Sequence, residues 1–296
     1  MYLSKGDLIG ITAPAGKIKE ESLSLAVSVL ESWGLVVNSA KNIFSDTHGY
    51  FAGTDEERRQ DFQEMLDDPN LKAIICARGG YGTTRFIDQL DFTGYLKFPK
   101  WIVGFSDVTA LHLKLHQLGF ESIHSVMPIQ FTKPDHKESI ESLRRMLFGE
   151  RTQLKAKGSS FNRIGSTTAQ VVGGNLTLLV DSLGTSTEVQ THGKILVIEE
   201  VDEYRYKIDR MLNQLKRANK LHQLAGLIVG HMTDIHDTEN SFGQTVEELT
   251  LEKAADFAYP VGFNFPIGHE APNYAWRHGA IASFTVGKDK SSLVFE

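Results

Sequence analysis

The chain has 296 residues, of which 41% are hydrophobic and 23% charged, so it is long enough to bury one large core or two moderate ones. Its formal net charge is −6 and its basic residues are interspersed with acids, which argues against a nucleic-acid partner and favours a small molecule or peptide. No apolar run approaches membrane-spanning length, and residues 1–7 contain no signal-peptide core. We therefore expect a cytoplasmic protein without a membrane segment.

The first half of the chain alternates predicted strands with predicted helices. Apolar residues at helical spacing predict a helix that ends near Gly34, and the capping box of Thr54 and Glu57 predicts a second helix that ends at Pro69. A third helix is predicted through residues 86–90. The predicted strands are 8–12, 73–76 and 101–103. This alternation indicates an α/β domain with a doubly wound, flavodoxin-like parallel sheet, which we place at residues 1–150.

The composition changes around residues 149–168, which are rich in Gly, Ser, Thr, Lys and Arg and have no apolar periodicity. Such a segment is typical of a linker, which we place at residues 151–168. The remainder, residues 169–296, is predicted to be a second, strand-rich α/β domain. Its predicted elements are a helix from Asn175, a strand at 195–198, a helix around 208–215 and a hairpin near 287–290.

A serine follows the third predicted strand. In Gly104-Phe105-Ser106-Asp107-Val108, Ser106 would lie in a sharp turn between a buried strand and a helix, where backbone N–H groups could stabilise an oxyanion. The match to the G-x-S-x-G nucleophile motif is incomplete, because Val108 occupies the place of the second glycine. The pattern therefore favours two interpretations, a helix N-cap or a nucleophile.

Other candidate residues also follow predicted strands. Gly79 and Gly80 come after the strand that ends at Cys76, and their amides could face an oxyanion or a phosphate, or simply form a turn. Cys76 itself is expected to be a small buried residue. Glu199 and Glu200 end an apolar strand, so the pleat would point only one of them into the cleft.

Histidines supply further candidates for catalysis or metal binding. His269 follows Gly268 in a predicted tight loop, where it could act as a base or have only a structural role. Five potential ligands crowd into nine residues: His231, Asp234, His236, Asp237 and Glu239. Their spacing matches no established metal motif, and we expect a polar loop there rather than a metal site. His112 and His116 lie four residues apart and are expected on a helix surface.

Several segments, in their order along the chain, resemble the LD-carboxypeptidase family, serine peptidases that include murein tetrapeptide carboxypeptidases and microcin C immunity peptidases. The resemblance covers nearly the whole chain. The segments that carry it are Ala13-Pro14-Ala15-Gly16, Ala52–Arg58, Ala77–Gly82, Gly104–Asp107, Gly173–Leu176, Ile198–Glu200, Ile208–Leu212 and Gly268-His269.

The resemblance implies a catalytic role for three residues. Ser106 would be the nucleophile, His269 the general base and Glu199 the carboxylate that orients the histidine. Glu200 stands where the family more usually has an aspartate, so the choice between Glu199 and Glu200 stays open. The active site would lie in the cleft between the two domains.

The resemblance also implies the surroundings of these residues and the reaction. The amides of Gly80 and Asp107 would form the oxyanion hole, and Arg78, Gly79 and Asn175 would bind substrate, with Arg78 holding a substrate carboxylate. The implied reaction is hydrolysis of the amide to a terminal D-amino acid, which releases D-alanine from murein tetrapeptides during cell-wall recycling. The resemblance implies that the enzyme needs neither a metal nor an organic cofactor. It also implies a homodimer.

Two alternatives stay open from the sequence. The first is a microcin-type peptidase that acts on a peptidyl-nucleotide, whose base would stack on aromatic side chains. Candidates for that stacking surface are Tyr204, Tyr206, Tyr274 and Trp276. The second is a non-catalytic protein that binds a peptide or nucleotide in the α/β cleft, against which the ordered serine, glutamate and histidine argue.

Overall fold

The computed structural model describes residues 2–296 and contains thirteen strands in two sheets. The strands are β1 Leu8–Thr12, β2 Val36–Ser39, β3 Leu71–Cys76, β4 Trp101–Gly104, β5 Ser122–His124, β6 Gln153–Lys157, β7 Gly165–Asn175, β8 Ile195–Val201, β9 Gly226–Thr233, β10 Val261–Gly262, β11 Trp276–His278, β12 Ile281–Val286 and β13 Lys290–Phe295. The α-helices are α1 Glu20–Ser32, α2 Asp55–Asp67, α3 Thr93–Lys97, α4 Thr109–Gln117, α5 Lys137–Leu147, α6 Leu176–Asp181, α7 Arg205–Arg217 and α8 Val246–Lys253.

The first sheet has the order β11-β5-β4-β3-β1-β2, and its strands β1 to β5 are all parallel to one another. The order 2-1-3-4-5 within it is that of a flavodoxin-like doubly wound sheet. Strands β3 and β4 are buried along almost their whole length, as expected for parallel strands covered on both faces. The predicted fold of the first half is therefore confirmed.

The second sheet has the order β10-β9-β8-β7-β12-β13-β6. Strands β7 to β10 are parallel, whereas β12, β13 and β6 continue from β7 as an antiparallel meander. The predicted hairpin joins β12 to β13, with the Gly287 amide donating to the Lys290 carbonyl. Near the end of the chain, β11 leaves this half and pairs antiparallel with β5 of the first sheet. This pairing joins the two halves of the molecule.

The predicted helix ends of the first half agree with the structure. Helix α1 stops before Gly34, which has a φ of +89°, a conformation that favours glycine. At the start of α2, the Thr54 hydroxyl accepts from the Glu57 amide while the Glu57 carboxylate accepts from the Thr54 amide. This reciprocal capping box satisfies two otherwise unpaired N–H groups.

Two sequence-based predictions about secondary structure were wrong. The helix expected through residues 86–90 is a pair of 3₁₀ turns, Thr83–Arg85 and Ile87–Gln89, because apolar residues three positions apart suit either kind of helix. The expected linker at 151–168 contains β6 and the start of β7. In β6 only Leu154 and Ala156 face the core, so its alternation was too weak to detect. The boundary between the domains stays a prediction.

The histidines of α4 also differ from expectation. His112 is fully buried rather than on the helix surface, and its ring nitrogens contact the Ser122 hydroxyl at 2.8 Å and the Gly104 carbonyl at 2.9 Å. His116 is half-buried. Within residues 2–296, no helix is both long and apolar enough to cross a bilayer.

Candidate active site

Ser106 lies in a strained turn at the carboxyl end of β4. Its φ of +63° is rare for a residue with a side chain, and a 3₁₀ turn over Ser106–Val108 leads directly into α4. A Cβ on Gly104 would lie 2.8 Å from a Val108 methyl group, so the glycine lets the turn close onto the valine. The Ser106 side chain makes no helix cap, and the N-cap interpretation is wrong. Its hydroxyl instead faces His269.

Three side chains form a hydrogen-bonded chain across the two halves of the molecule. The Ser106 hydroxyl lies 3.1 Å from His269 Nε2, and His269 Nδ1 lies 2.8 Å from a Glu199 carboxylate oxygen. Glu199 is fully buried in β8, whereas Ser106 and His269 are partly accessible. This order of hydroxyl, imidazole and carboxylate is the one that a nucleophile, a general base and an orienting acid require.

Glycines let the backbone approach Glu199 closely. A Cβ on Gly268, whose φ is +130°, would lie 3.1 Å from the Glu199 carboxylate, and a Cβ on Gly230 would lie 2.4 Å from the Ile267 carbonyl oxygen. Side chains at these positions would push the His269 loop away from β8 and β9. The tight loop predicted from Gly268 is thus required by packing.

Glu200 points away from the histidine. Its carboxylate accepts hydrogen bonds from the Asn175 side chain, from the amide and hydroxyl of Thr177 and from the Val201 amide. Burial raises the pKa of Glu200, although these donors oppose the rise. The structure therefore brings Glu199, and not Glu200, to His269.

Asn175 does not face a substrate. Its side-chain amide donates to Glu200, and its side-chain oxygen accepts from the Leu178 amide as the N-cap of α6. Because Asn175 is buried, both of its polar groups serve the fold. The structure gives no support to the substrate-binding role expected for it.

The charge of Glu199 raises the pKa of His269. Burial lowers the pKa of the imidazole, but the negative charge of Glu199 and the hydrogen bond to it more than compensate, so the pKa of His269 lies above its ordinary value. The ring of Phe105 packs 4.8 Å from the His269 ring, centroid to centroid. The Glu199 carboxylate therefore stabilises positive charge on the His269 ring next to Ser106.

The glycine loop after β3 lies against Ser106. A Cβ on Gly79 would lie 3.2 Å from the Ser106 hydroxyl oxygen, and the Gly79 carbonyl accepts from the Gly16 amide at 3.1 Å. The next residue, Gly80, has a φ of +112°. The buried Asp107 carboxylate accepts from the Thr83 amide at 2.9 Å and so ties the glycine loop to the turn of Ser106. Backbone of both segments thus borders Ser106.

The remaining candidates take no part in the hydrogen-bonded chain of Ser106, His269 and Glu199. Arg78 is exposed and donates to the Lys17 carbonyl at 2.8 Å. Cys76 is fully buried, and burial raises its thiol pKa. Asp237 accepts hydrogen bonds from the Thr238 and Phe242 amides, so its carboxylate stabilises the loop in which it lies. Within residues 2–296, no three His, Cys, Asp or Glu side chains have the arrangement of a metal site.

A pocket beside His269 was not predicted. It has a volume of about 590 Å³ and combines a loop from the first half of the chain with the loop after His269. Its lining residues are Lys133, Asp135, His136, Glu138, His269, Glu270, Ala271 and Pro272. Neither loop has a periodic pattern or a motif, and only the tertiary structure joins them.

The flavodoxin-like sheet carries a serine at the carboxyl end of β4, and hydrogen bonds join this serine to a histidine and a buried glutamate from the second half of the chain. This arrangement defines a serine hydrolase. Comparisons with known proteins refine that class. Residues 9–125 match the model of the LD-carboxypeptidase N-terminal domain, and residues 168–284 match that of the C-terminal domain. The chain therefore belongs to the LD-carboxypeptidase family and is a serine carboxypeptidase.

Individual relatives agree with this assignment. A protein of Bacillus subtilis named probable murein peptide carboxypeptidase is 34% identical over 99% of this chain and 92% of its own length. The crystal structure of muramoyltetrapeptide carboxypeptidase from Oxalobacter formigenes has a TM-score of 0.89 at 29% identity and covers 97% of this chain and 98% of that one. A structure of MccF in complex with glutamyl sulfamoyl guanosine has a TM-score of 0.87 at 20% identity over 100% and 98%, and at that identity it shows the fold alone.

Proposed function

We propose that this protein hydrolyses the amide between an L-centre and the terminal D-alanine of murein tetrapeptides. The observation that carries the proposal is the continuous hydrogen-bonded chain from Ser106 through His269 to Glu199. The names of the relatives from Bacillus subtilis and Oxalobacter formigenes support the choice of a murein peptide as substrate.

Acylation begins when Ser106 Oγ attacks the scissile carbonyl carbon. His269 Nε2 takes the hydroxyl proton, and Glu199 holds the opposite ring nitrogen and stabilises the imidazolium that forms. The carbonyl oxygen becomes an oxyanion, for which the backbone amides of Gly80 and Asp107 serve as donors. The imidazolium then gives its proton to the leaving nitrogen, and D-alanine departs.

Deacylation repeats these steps with water. His269 takes a proton from a water molecule whose oxygen attacks the Ser106 ester, and the same amides stabilise the second oxyanion. When this intermediate collapses, the proton returns to Ser106 Oγ and the shortened peptide leaves with a free carboxylate. No redox partner or further reactant is required.

The microcin-type alternative receives less support from the aromatic residues first considered for stacking. Trp276 is fully buried against His124, and the Tyr274 hydroxyl donates to Glu138 at 2.6 Å. Tyr204 and Tyr206 are exposed and pack against each other with their ring centroids 5.8 Å apart. Of the four candidates, only these two are exposed enough to receive a nucleobase.

Two further properties rest on the family resemblance alone. We expect the protein to act in the cytoplasm during cell-wall recycling, and we expect a homodimer. Light scattering coupled to size-exclusion chromatography would measure the mass in solution against the 33.0 kDa of one chain.

The proposed reaction is tested with three compounds. The tetrapeptide L-Ala-D-Glu-meso-diaminopimelate-D-Ala should release D-alanine, and the same peptide ending in L-alanine should not. An aminoacyl sulfamoyl adenosine represents the microcin-type alternative. Hydrolysis of that compound together with an intact tetrapeptide would overturn the proposed substrate, whereas the reverse result would support it.

A further inference from the structure

The geometry of acyl transfer places the leaving residue on the histidine side of Ser106. His269 must deliver its proton to the nitrogen of the departing D-amino acid, so that nitrogen lies next to His269 Nε2 in the reacting complex. The free carboxylate of the departing residue is separated from this nitrogen by a single carbon atom. Its recognition site must therefore open beside His269 and away from the glycine loop of Gly79 and Gly80.

The pocket described above opens at this place, because His269 is itself one of its lining residues. Lys133 is the only lysine or arginine among the residues that line the pocket. Besides His269, the lining contains one further histidine, His136, which is buried and has a pKa lowered by that burial, so it is mainly neutral at pH 7. Lys133 and His269 line the same pocket, so the ammonium group borders the space next to the catalytic base.

The ammonium group of Lys133 is also available to bind a ligand. Its side chain is exposed and makes no ion pair or hydrogen bond with the part of the chain the structure describes, residues 2–296. Arg78, the cation expected from the sequence to hold a substrate carboxylate, donates instead to the Lys17 carbonyl and belongs to the glycine-loop side of Ser106. Of these two cations, only Lys133 is both free and on the leaving-group side.

Three carboxylates restrict where an anion can sit in the same pocket. The lining includes Asp135, Glu138 and Glu270. Glu138 already accepts a hydrogen bond from the Tyr274 hydroxyl. A substrate carboxylate would be repelled from their neighbourhood and attracted to the ammonium group. A peptide extended by one more residue would place an uncharged amide there instead of a carboxylate. The pocket thus distinguishes the length of the departing segment.

We propose that Lys133 binds the free carboxylate of the departing D-amino acid and thereby limits the enzyme to removing a single C-terminal residue. The inference rests on the proposed function for the identity of the peptide, but it concerns a different contact. Lys133 acts on the substrate directly and takes no part in proton transfer.

The test compares two peptides and three variants. The peptides are the tetrapeptide with its free carboxylate and the same tetrapeptide ending in D-alaninamide. The variants are Lys133→Met, Lys133→Arg and, as a control, Lys137→Gln, which removes an exposed lysine outside the His269 pocket. We expect Lys133→Met to lower kcat/KM for the free acid by about 10- to 100-fold and to leave the amide unchanged. Lys133→Arg should retain part of the activity, and Lys137→Gln all of it.

A binding experiment separates failure of this inference from failure of the proposed function. Calorimetry measures both peptides against Ser106→Ala, with and without Lys133→Met. A preference for the free acid that disappears with Lys133→Met supports the inference, even if the wild type does not hydrolyse the tetrapeptide and the proposed substrate is wrong. The inference is overturned if the preference for the free acid persists in Lys133→Met or if calorimetry finds no preference at all. It is also overturned if Lys133→Met loses activity equally on the free acid and on the amide.

Discussion

Gly79 approaches Ser106 so closely that a Cβ at position 79 would lie 3.0 Å from the serine Cβ and 3.2 Å from its hydroxyl oxygen. The φ of Gly79 is not in the left-handed region, so the backbone itself accepts alanine. The absence of a side chain is therefore needed for access to the nucleophile rather than for the turn.

Gly79→Ala should consequently impair catalysis more than folding. The added methyl group displaces Ser106 or the incoming carbonyl by a few tenths of an ångström or more, and we expect kcat to fall by roughly 10- to 100-fold. Thermal unfolding should change little. Gly49→Ala is the matched control, because a Cβ there meets no atom within 4 Å. Equal kcat values for the two variants would contradict the role assigned to Gly79.

The two adjacent glutamates should respond differently to substitution. Glu199→Gln keeps the shape but removes the charge that stabilises the imidazolium of His269, and kcat should fall by roughly 10³- to 10⁴-fold. Glu200→Gln weakens the acceptor of the Asn175 and Thr177 hydrogen bonds, so it should lower the free energy of unfolding by about 1–3 kcal/mol. Steady-state kinetics and urea unfolding of both variants measure these effects. A larger loss of kcat in Glu200→Gln would reverse the assignment.

The activity should decline on the acidic side of neutrality. His269 must be neutral to accept the Ser106 proton, and Glu199 raises the histidine pKa above its ordinary value of 6.5 despite the opposing effect of burial. The logarithm of kcat/KM should therefore fall as the pH drops through a midpoint above 6.5. In Glu199→Gln the midpoint should move to lower pH. A wild-type midpoint below that of the variant would contradict the coupling.

The buried histidines should make the fold sensitive to acid. Burial lowers the pKa of His112 to about 4 and those of His124 and His278 well below 6.5. Between pH 6.5, the ordinary histidine pKa, and pH 4, the unfolded chain binds more protons at these positions than the folded protein does. The contribution of neutral His112 to the free energy of unfolding is therefore fully present above about pH 6.5 and is lost as the pH falls towards 4.

Urea unfolding at pH 7.5 and 5.5 measures this loss, which linkage puts at roughly 1 kcal/mol for each buried histidine over that interval. His112→Asn should reduce the difference between the two pH values. His192→Asn, at an exposed position, should leave it unchanged. A stability that rises over the same fall in pH would show that the buried carboxyl groups, whose raised pKa values act in the opposite direction, are dominant.

The sequence predicted those features that have local causes. The capping box of Thr54 and Glu57, the strand before Ser106 and the glycine before His269 each follow from neighbouring residues. Pleat alternation showed that only one of Glu199 and Glu200 could face the cleft, but it could not choose between them. That choice depends on α6, which supplies the donors that hold Glu200 on the other side of β8.

Features with long-range causes escaped prediction. Strand β6 has only two inward residues, and its pairing with β13 links positions more than 130 residues apart. The burial of His112 depends on Ser122 and on the pairing of β11 with β5. The Lys133 pocket exists only because a loop of the first half meets the loop after His269. None of these contacts leaves a periodic signal in one segment.

The most direct test of the central claim is the release of D-alanine from the tetrapeptide by the wild type, by Ser106→Ala and by His269→Ala, with His192→Ala as a matched control. The account predicts turnover by the wild type and by the control and a loss of at least about 10³-fold in the other two variants, which remain folded. Undiminished release by Ser106→Ala would contradict the mechanism, whereas no release by folded wild type would contradict the substrate.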